Sequence, residues 1–141
     1  MTLKIGILVL INGLVISMIS FAAFILSKTI KIFGDDSFLH DHTKQESLTF
    51  AVMVMGHLLQ SFLSKSVFNS IFTTGVTNNI WMIIAFLSSF GLLVLGIEAP
   101  VIQGWLEFTG IGGTGWAVVF ISGLVHICTI EIVKLVFRQL P

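Results

Sequence analysis

The sequence predicts an all-α membrane protein in which four transmembrane helices form a bundle. Of its 141 residues, 55% are hydrophobic and only 10% are charged, whereas a soluble domain carries about 25% charged residues. The chain also contains four long apolar stretches, each close to the roughly 17–25 residues that a spanning helix needs. Because backbone N–H and C=O groups find no water in hydrocarbon, each stretch is expected to be a helix.

The four predicted spans belong to one membrane domain that covers residues 1–141. They run from about Ile5 to Leu26, Ser47 to Leu63, Ile80 to Ile97 and Trp116 to Phe137. The second stretch is slightly short for a span. An alternative for the first stretch is a secretory signal peptide, because Lys4 precedes it and small residues lie near its end. Its apolar run is longer than the roughly 7–15 residues of a signal peptide, which favours a span.

The distribution of basic residues predicts that both ends of the chain are cytoplasmic. Four basic residues would lie on the side of the termini and three on the other side: Lys4, Lys65, Lys134 and Arg138 against Lys28, Lys31 and Lys44. The connections at 27–46 and 98–115 would then be outward loops. The net charge of zero gives no reason to expect a nucleic-acid partner, and membrane lipid is the expected surrounding.

The stretch "GHLLQSFLSKS", residues 56–66, ends the second span with a polar stripe. His57, Gln60, Ser61 and Ser64 recur at i, i+3, i+4 and i+7, which places them on one face of a helix. We interpret this face as a structural surface that forms hydrogen bonds to neighbouring helices. The alternative is a cation path, with His57, Gln60 and Ser61 as weak candidate metal ligands. In both cases the face is expected to point toward protein, because polar groups in hydrocarbon are costly.

Polar residues in the fourth span are expected to be structural. His126 lies in the middle of the span and is predicted to be packed against a neighbouring helix and hydrogen-bonded to it. Glu131 and Lys134 have i, i+3 spacing and are predicted to form a local ion pair near the membrane surface. We predict no catalytic residue and no cofactor.

The stretch "HDH" at 40–42 contains residue types that bind transition metals. Its spacing is not that of a rigid metal site. We therefore interpret it as part of a solvated loop.

From residue 47 onward, the order of short motifs resembles the C-terminal membrane domain of P-type cation-transporting ATPases. "SLTFAVMVM" opens a span, a polar helix face ends in "SKS", and "SIFTTGVTNNIWM" leads into the next apolar stretch. "APVIQ", a tryptophan before the final helix and "EIVKLVFR" complete the series. The calcium pumps of the endoplasmic reticulum and secretory pathway, with their bacterial relatives, look closest. The motifs cover about 47–139, and residues 1–46 fit the preceding helix and its outward loop by position.

The resemblance implies that these are the last four of the family's ten transmembrane helices. In the family, the position of His57 carries Glu, Asp or Gln, and the position of Gln60 usually carries Asn. In two-site calcium pumps, the acidic residue helps to bind one ion. Histidine cannot act as an anionic oxygen ligand, and Ca²⁺ prefers about 6–8 oxygen ligands, carboxylates among them. The departure at His57 therefore argues against an intact ion site at this position.

Several parts of the family's catalytic machinery are missing from this sequence. It contains neither the phosphorylation motif "DKTG" nor the motif "TGE". It also lacks the family's nucleotide domain and the fourth to sixth of the family's ten transmembrane helices. Phosphoryl transfer requires parts that position ATP, Mg²⁺ and a phosphoacceptor. We therefore expect no ATPase activity from this chain alone, which would be a fragment, a split-gene partner or a truncated relative of a pump.

The sequence therefore leaves three functions to compare. The first is a membrane scaffold that supports ion transport, with the remaining part of a P-type ATPase as its partner. The second is a stand-alone ion channel or transporter, self-associated around the face with His57, Gln60 and Ser61. The third is a small membrane adaptor. All three are multi-pass integral membrane proteins, and the endoplasmic reticulum, the secretory pathway and the plasma membrane all remain open as compartments.

Overall fold

The computed structural model describes residues 2–29, 37–64 and 79–139. Within them, 92% of the residues are helical and none is in a strand. The helices are α1 (Thr2–Thr29), α2 (Ser37–His40), α3 (His42–Leu63), α4 (Ile80–Glu98), α5 (Pro100–Leu106) and α6 (Gly112–Gln139). Four of them, α1, α3, α4 and α6, are long and apolar enough to cross a membrane. The predicted all-α membrane bundle is confirmed.

Helix α3 lies at the centre of the bundle. It packs against α1, α4 and α6, and 44% of its span is buried, compared with 11% of the α4 span. The core is formed around its buried residues, such as Leu48, Ala51 and Met55, together with Ile97 of α4 and Val119 of α6. Because neighbouring helices cover α3, it can carry more polar residues than a helix that faces lipid on most sides.

The N-terminal turn of α3 lies ahead of the predicted span, since the helix begins at His42 and not at Ser47. Asp41 is its N-cap, and the Asp41 carboxylate accepts a hydrogen bond from the backbone N–H of Lys44 at 3.2 Å. One turn further on, the Ser47 hydroxyl oxygen accepts a bond from the backbone N–H of Thr109 at 3.0 Å. The Asp41 cap satisfies a backbone donor at the helix start, so the helix extends into the polar segment before the apolar run. The Ser47 bond joins α3 to the segment that follows Leu106.

The connection between α4 and α6 was predicted to be a loop, and this prediction is wrong because the connection contains helix α5. Pro100 occupies its first turn, where a missing N–H costs no hydrogen bond. Glu107 ends the helix in the left-handed region with φ 56°. The connection is held against α6 by Glu98, which accepts hydrogen bonds from the Trp116 indole N–H at 2.9 Å and from the backbone N–H of Ile111 at 3.3 Å.

Helix α6 approaches α2 closely at Gly115. A Cβ atom at this position would lie 2.5 Å from the Ile111 Cβ and 3.1 Å from Phe38 Cζ. Phe38 is fully buried, so its ring has little room to move. The packing of the start of α6 therefore requires a residue without a side chain.

Some sequence features fall outside the described residues. They include Lys31 and Lys65 of the charge comparison and most of the motif "SIFTTGVTNNIWM". The predicted orientation of the bundle in the membrane remains a prediction.

Candidate functional site

The polar stripe of α3 borders a groove between α1, α3 and α6, which we call the polar groove. It has a volume of about 320 Å³. Its polar lining comes from Asn12, His57, Gln60, Ser64 and Lys134, and its apolar lining from Ile5, Leu8, Val9, Gly13, Ile16 and Leu63. The fold thus brings part of the predicted α3 stripe together with polar side chains of two other helices.

Gln60 of α3 is paired with His126 of α6. The Nε2 atom of His126 lies 3.3 Å from Oε1 of Gln60, and His126 is only 1% exposed. In the neutral tautomer with the proton on Nε2, this nitrogen donates to the amide oxygen and Nδ1 remains an acceptor. Nδ1 is buried without a hydrogen-bond partner in the described part of the chain. The prediction that His126 is packed and bonded to a neighbouring helix is confirmed.

Lys134 of α6 caps the C-terminal end of α3. Its side chain is buried, and its Nζ donates a hydrogen bond to the carbonyl oxygen of Leu63 at 2.6 Å. Leu63 is the last residue of α3, where carbonyl groups lack intrahelical partners and the helix dipole favours a cation. The Nζ atom also lies 3.6 Å from Oε1 of Glu131. The structural role assigned to Glu131 and Lys134 stays a prediction, and the geometry supplies both with local partners.

The other members of the α3 stripe have different surroundings. His57 and Ser64 line the polar groove and are exposed. Ser64 donates its hydroxyl hydrogen to the Gln60 carbonyl oxygen on its own helix. Ser61 is exposed, does not line the groove, and donates to the carbonyl of Leu58 at 2.6 Å. The stripe therefore separates into His57, Gln60 and Ser64, which line the groove, and Ser61, which lies outside its lining.

Asn12 of α1 belongs to this site and was missed by the sequence reasoning. It is 9% exposed, it lines the polar groove, and its Oδ1 is buried without a hydrogen-bond partner in the described residues. The signal that could have found it is the presence of one asparagine inside an apolar span, because such residues are rare in hydrocarbon and are usually functional.

The chemistry of the polar groove suits hydrogen bonding better than cation binding. Among the described residues that line it, none carries a carboxylate, whereas Lys134 contributes a cation. Calcium sites use about 6–8 oxygen ligands. Elsewhere, Asp41 of the "HDH" stretch caps α3, and the described residues contain no group of three His, Cys, Asp or Glu side chains that could hold a metal ion.

A second groove lies between α3, α4 and α6, and we call it the apolar groove. Its volume is about 390 Å³, and its lining comprises Met55, Leu59, Phe86, Leu87, Phe90, Phe120, Gly123, Leu124 and Ile127. Aromatic rings pack along it, with the Phe90 ring centroid 6.3 Å from that of Phe86 and 6.0 Å from that of Phe120. No polar side chain takes part in its described lining.

Comparison with known proteins identifies the family. The family model described as "Cation transporting ATPase, C-terminus" matches residues 1–136. This match extends the resemblance across the first span, where the sequence motifs gave little support for it. Searches of curated proteins and of solved structures gave no match. Four apolar helices and a family match over nearly the whole chain make this a multi-pass integral membrane protein. The chain belongs to the family formed by the C-terminal membrane region of cation-transporting ATPases.

Proposed function

We propose that the chain is the membrane support domain of a P-type cation-transporting ATPase whose transported ion is calcium. In this role it braces the helices that move the ion and is not itself the catalytic part. The observation that carries the proposal is the family match over residues 1–136, combined with a polar groove at the surface of the bundle.

The exposure of His57 supports a partner on this side of the bundle. His57 lies within a span, in its C-terminal third, and is exposed in the isolated chain. It is next to Gln60, Asn12 and Lys134 in the lining of one groove. A polar surface inside hydrocarbon is costly unless protein or water covers it. The missing ion-moving helices of the ATPase are the proposed cover.

Calcium is proposed from the likeness of the motifs at 47–139 to calcium pumps. The chain itself supplies no carboxylate at position 57, where two-site pumps of the family have an acidic residue. The ligands of the ion would therefore come from helices outside this chain. We assign to His57 the role of supporting those helices through hydrogen bonds.

A complementation experiment tests this function. The full chain is expressed together with a calcium pump that lacks its last four helices, and vanadate-sensitive calcium uptake is measured in sealed vesicles. We expect uptake when both chains are present and none with either alone, because only the truncated pump contains the phosphorylated aspartate. Uptake by the chain alone would instead establish an independent channel or transporter. Failure of the two chains to associate in the membrane would contradict a support role.

Two substitutions at position 57 separate bracing from a cation path. If His57 only braces a helix, His57→Gln should preserve calcium uptake by the complemented pump, because an amide can replace one hydrogen bond, and His57→Leu should lower it. If the residue lies on the ion path, both variants should alter uptake. Ser61→Ala is the matched control, since the Ser61 hydroxyl is exposed and already bonded to its own helix.

A further inference from the structure

We propose that α5 is an interfacial helix, which lies in the membrane surface beside the end of α4 and inserts its apolar face between the headgroups and acyl chains of zwitterionic lipid. None of the residues of α5 is buried. Val101 and Trp105, one turn apart, are 73% and 86% exposed, and Ile102 and Leu106 extend the same apolar face. This face belongs to the connection between α4 and α6 and has no part in the proposed function.

The chain at α5 turns back toward α4 instead of leaving the bundle. Helix α4 ends at Glu98, and α5 begins at Pro100 and packs against α4. A Cβ atom added to Gly96, inside the α4 span, would lie 3.8 Å from Leu106 Cδ1. The 19 residues of α4 measure about 28 Å in a helix, close to the thickness of the hydrocarbon core, which is about 30 Å. Helix α5 therefore lies where the hydrocarbon meets the headgroups.

The polar and apolar sides of α5 are placed as an apolar surrounding requires. Gln103 has the only amide, hydroxyl or charged side chain in the sequence "PVIQGWL", and its Nε2 donates a hydrogen bond to the carbonyl oxygen of Ile97 at 2.5 Å. Ile97 lies in the last turn of α4, where carbonyl groups lack intrahelical partners. A helix at a water-facing surface turns its polar side chains outward, whereas α5 turns Gln103 toward α4 and Trp105 outward. This arrangement fits a lipid surface better than water.

Two exposed tryptophans mark the two ends of α4. Trp81 is the second residue of α4 and is 76% exposed, and Trp105 lies beside the other end of the same helix. The length of α4 separates the two rings by about one thickness of the hydrocarbon core. Tryptophan is enriched at both membrane–water interfaces, because its ring contacts acyl chains while its N–H bonds to headgroups or water. The position of Trp105 is that of an interfacial anchor.

The charges around α5 select a zwitterionic lipid surface. Residues 98–115 contain no Lys or Arg, and Glu98 and Glu107 flank α5. Because these carboxylates would repel anionic headgroups, the attraction comes from burial of apolar side chains. The apolar face of α5 also continues the lipid-facing side of α4, where Leu92 and Leu95 are 70% and 54% exposed next to Gly96. This continuity favours lipid over a protein partner as the cover of α5.

Spin labelling of the full chain in vesicles tests the proposal. Cys128 is changed to serine, one nitroxide-labelled cysteine replaces Val101, and the chain is reconstituted in phosphatidylcholine vesicles at a low ratio of protein to lipid. Electron paramagnetic resonance measures collisions of the label with oxygen, which concentrates in hydrocarbon, and with a water-soluble nickel complex. Labels at Leu92 in the α4 span and at Gln139, the exposed last residue of α6, are the hydrocarbon and aqueous references. We expect the nickel complex to collide with the label at position 101 about threefold less often than at position 139, while oxygen reaches it readily.

Variants of Trp105 decide whether its ring holds α5 at the interface. With the label at position 101, Trp105→Gln should raise the nickel collision rate about twofold, and Trp105→Phe, which keeps an aromatic ring, should retain most of the shielding. Trp81→Gln is the matched control, because it removes an exposed tryptophan from the other end of α4 and should leave the label unchanged. Circular dichroism checks that each variant remains helical. An unchanged collision rate in Trp105→Gln would contradict the anchoring role.

The other outcomes identify what covers α5 if lipid does not. Nickel collisions at position 101 equal to those at position 139 would place α5 in water and overturn the inference. Infrequent collisions with both oxygen and nickel would show that protein covers α5, and shielding that weakens on dilution with lipid would identify that protein as a second copy of the chain. Shielding that requires added anionic lipid would contradict a zwitterionic surface. Calcium uptake by the complemented pump tests the proposed function separately from all of these results.

Discussion

The two grooves of the bundle share α3 and α6 but differ in chemistry. The polar groove brings together Asn12, Gln60 and Lys134 from three helices, whereas the apolar groove is lined by aromatic and aliphatic side chains. In water, the apolar groove would be the stronger candidate for a binding site. In a bilayer, lipid tails already satisfy apolar side chains, so no hydrophobic force drives a helix into that groove.

The comparison shows why polar residues identify the functional side of a membrane domain. Lipid can cover the apolar groove without a cost in free energy, but it offers no hydrogen bond to an exposed polar side chain such as His57. The side of the bundle that carries Asn12 and His57 is therefore the side where protein contact lowers the free energy most.

The prediction with the largest expected effect concerns orientation. We expect the end of the polar groove that contains Lys134 to face the cytoplasmic side of the membrane. With Cys128, which is free and exposed, changed to serine, single cysteines are placed at His40 and Ser64, which lie beyond opposite ends of α3. An impermeant maleimide should label them from opposite sides of the membrane, with Ser64 on the cytoplasmic side. Labelling of both positions from one side would exclude the four-span arrangement.

Removal of the buried cation should produce the largest loss of stability. Lys134→Met deletes the bond to the Leu63 carbonyl and the ion pair with Glu131. Hydrogen bonds to charged groups contribute about 1.5–3 kcal/mol, so the free energy of unfolding should fall by about that amount. It is measured by denaturation in mixed detergent micelles. Arg138→Met removes an exposed charge from the same helix, and an equal loss in this control would show that net charge, not the cap, is responsible.

Loss of the bond between α3 and α6 should have a smaller effect. Gln60→Leu removes the acceptor for His126 Nε2, and interhelical hydrogen bonds in membranes contribute about 0.6–1.7 kcal/mol. The same denaturation measurement should show a decrease within that range. His126→Leu in the Gln60→Leu background should add little if the two side chains act as a pair. Additive losses would indicate that they act independently.

Truncation in the apolar groove should have the smallest effect. Leu124 lines this groove and is 63% exposed, so lipid can occupy the space that Leu124→Ala leaves. The free energy of unfolding in bilayer vesicles should change by less than about 0.5 kcal/mol. Leu14→Ala, at a side chain that is 62% exposed on α1, is the matched control. A loss well above that of the control would show that the apolar groove is a structural contact.

The all-α class and the number of spans were available from the sequence, because both depend on local composition. A long apolar stretch in hydrocarbon can satisfy its backbone only as a helix, whatever its neighbours are. The polar stripe at His57 and Gln60 was also visible, since helical periodicity alone places these residues on one face. The limits of α3 and the presence of α5 were harder to predict from the sequence. They depend on the cap at Asp41 and on contacts of Glu98 with α6.

The partners of the polar residues were decided only by the tertiary structure. Gln60 meets a histidine 66 positions away, and Lys134 meets a carbonyl 71 positions away. Asn12, in contrast, lines the groove without a partner among the described residues. Periodicity determines the face on which a side chain lies, but the rotation and depth of each helix are set by packing between helices. A hydrogen bond depends on distances of a few tenths of an ångström, and these arise only when the helices are packed together.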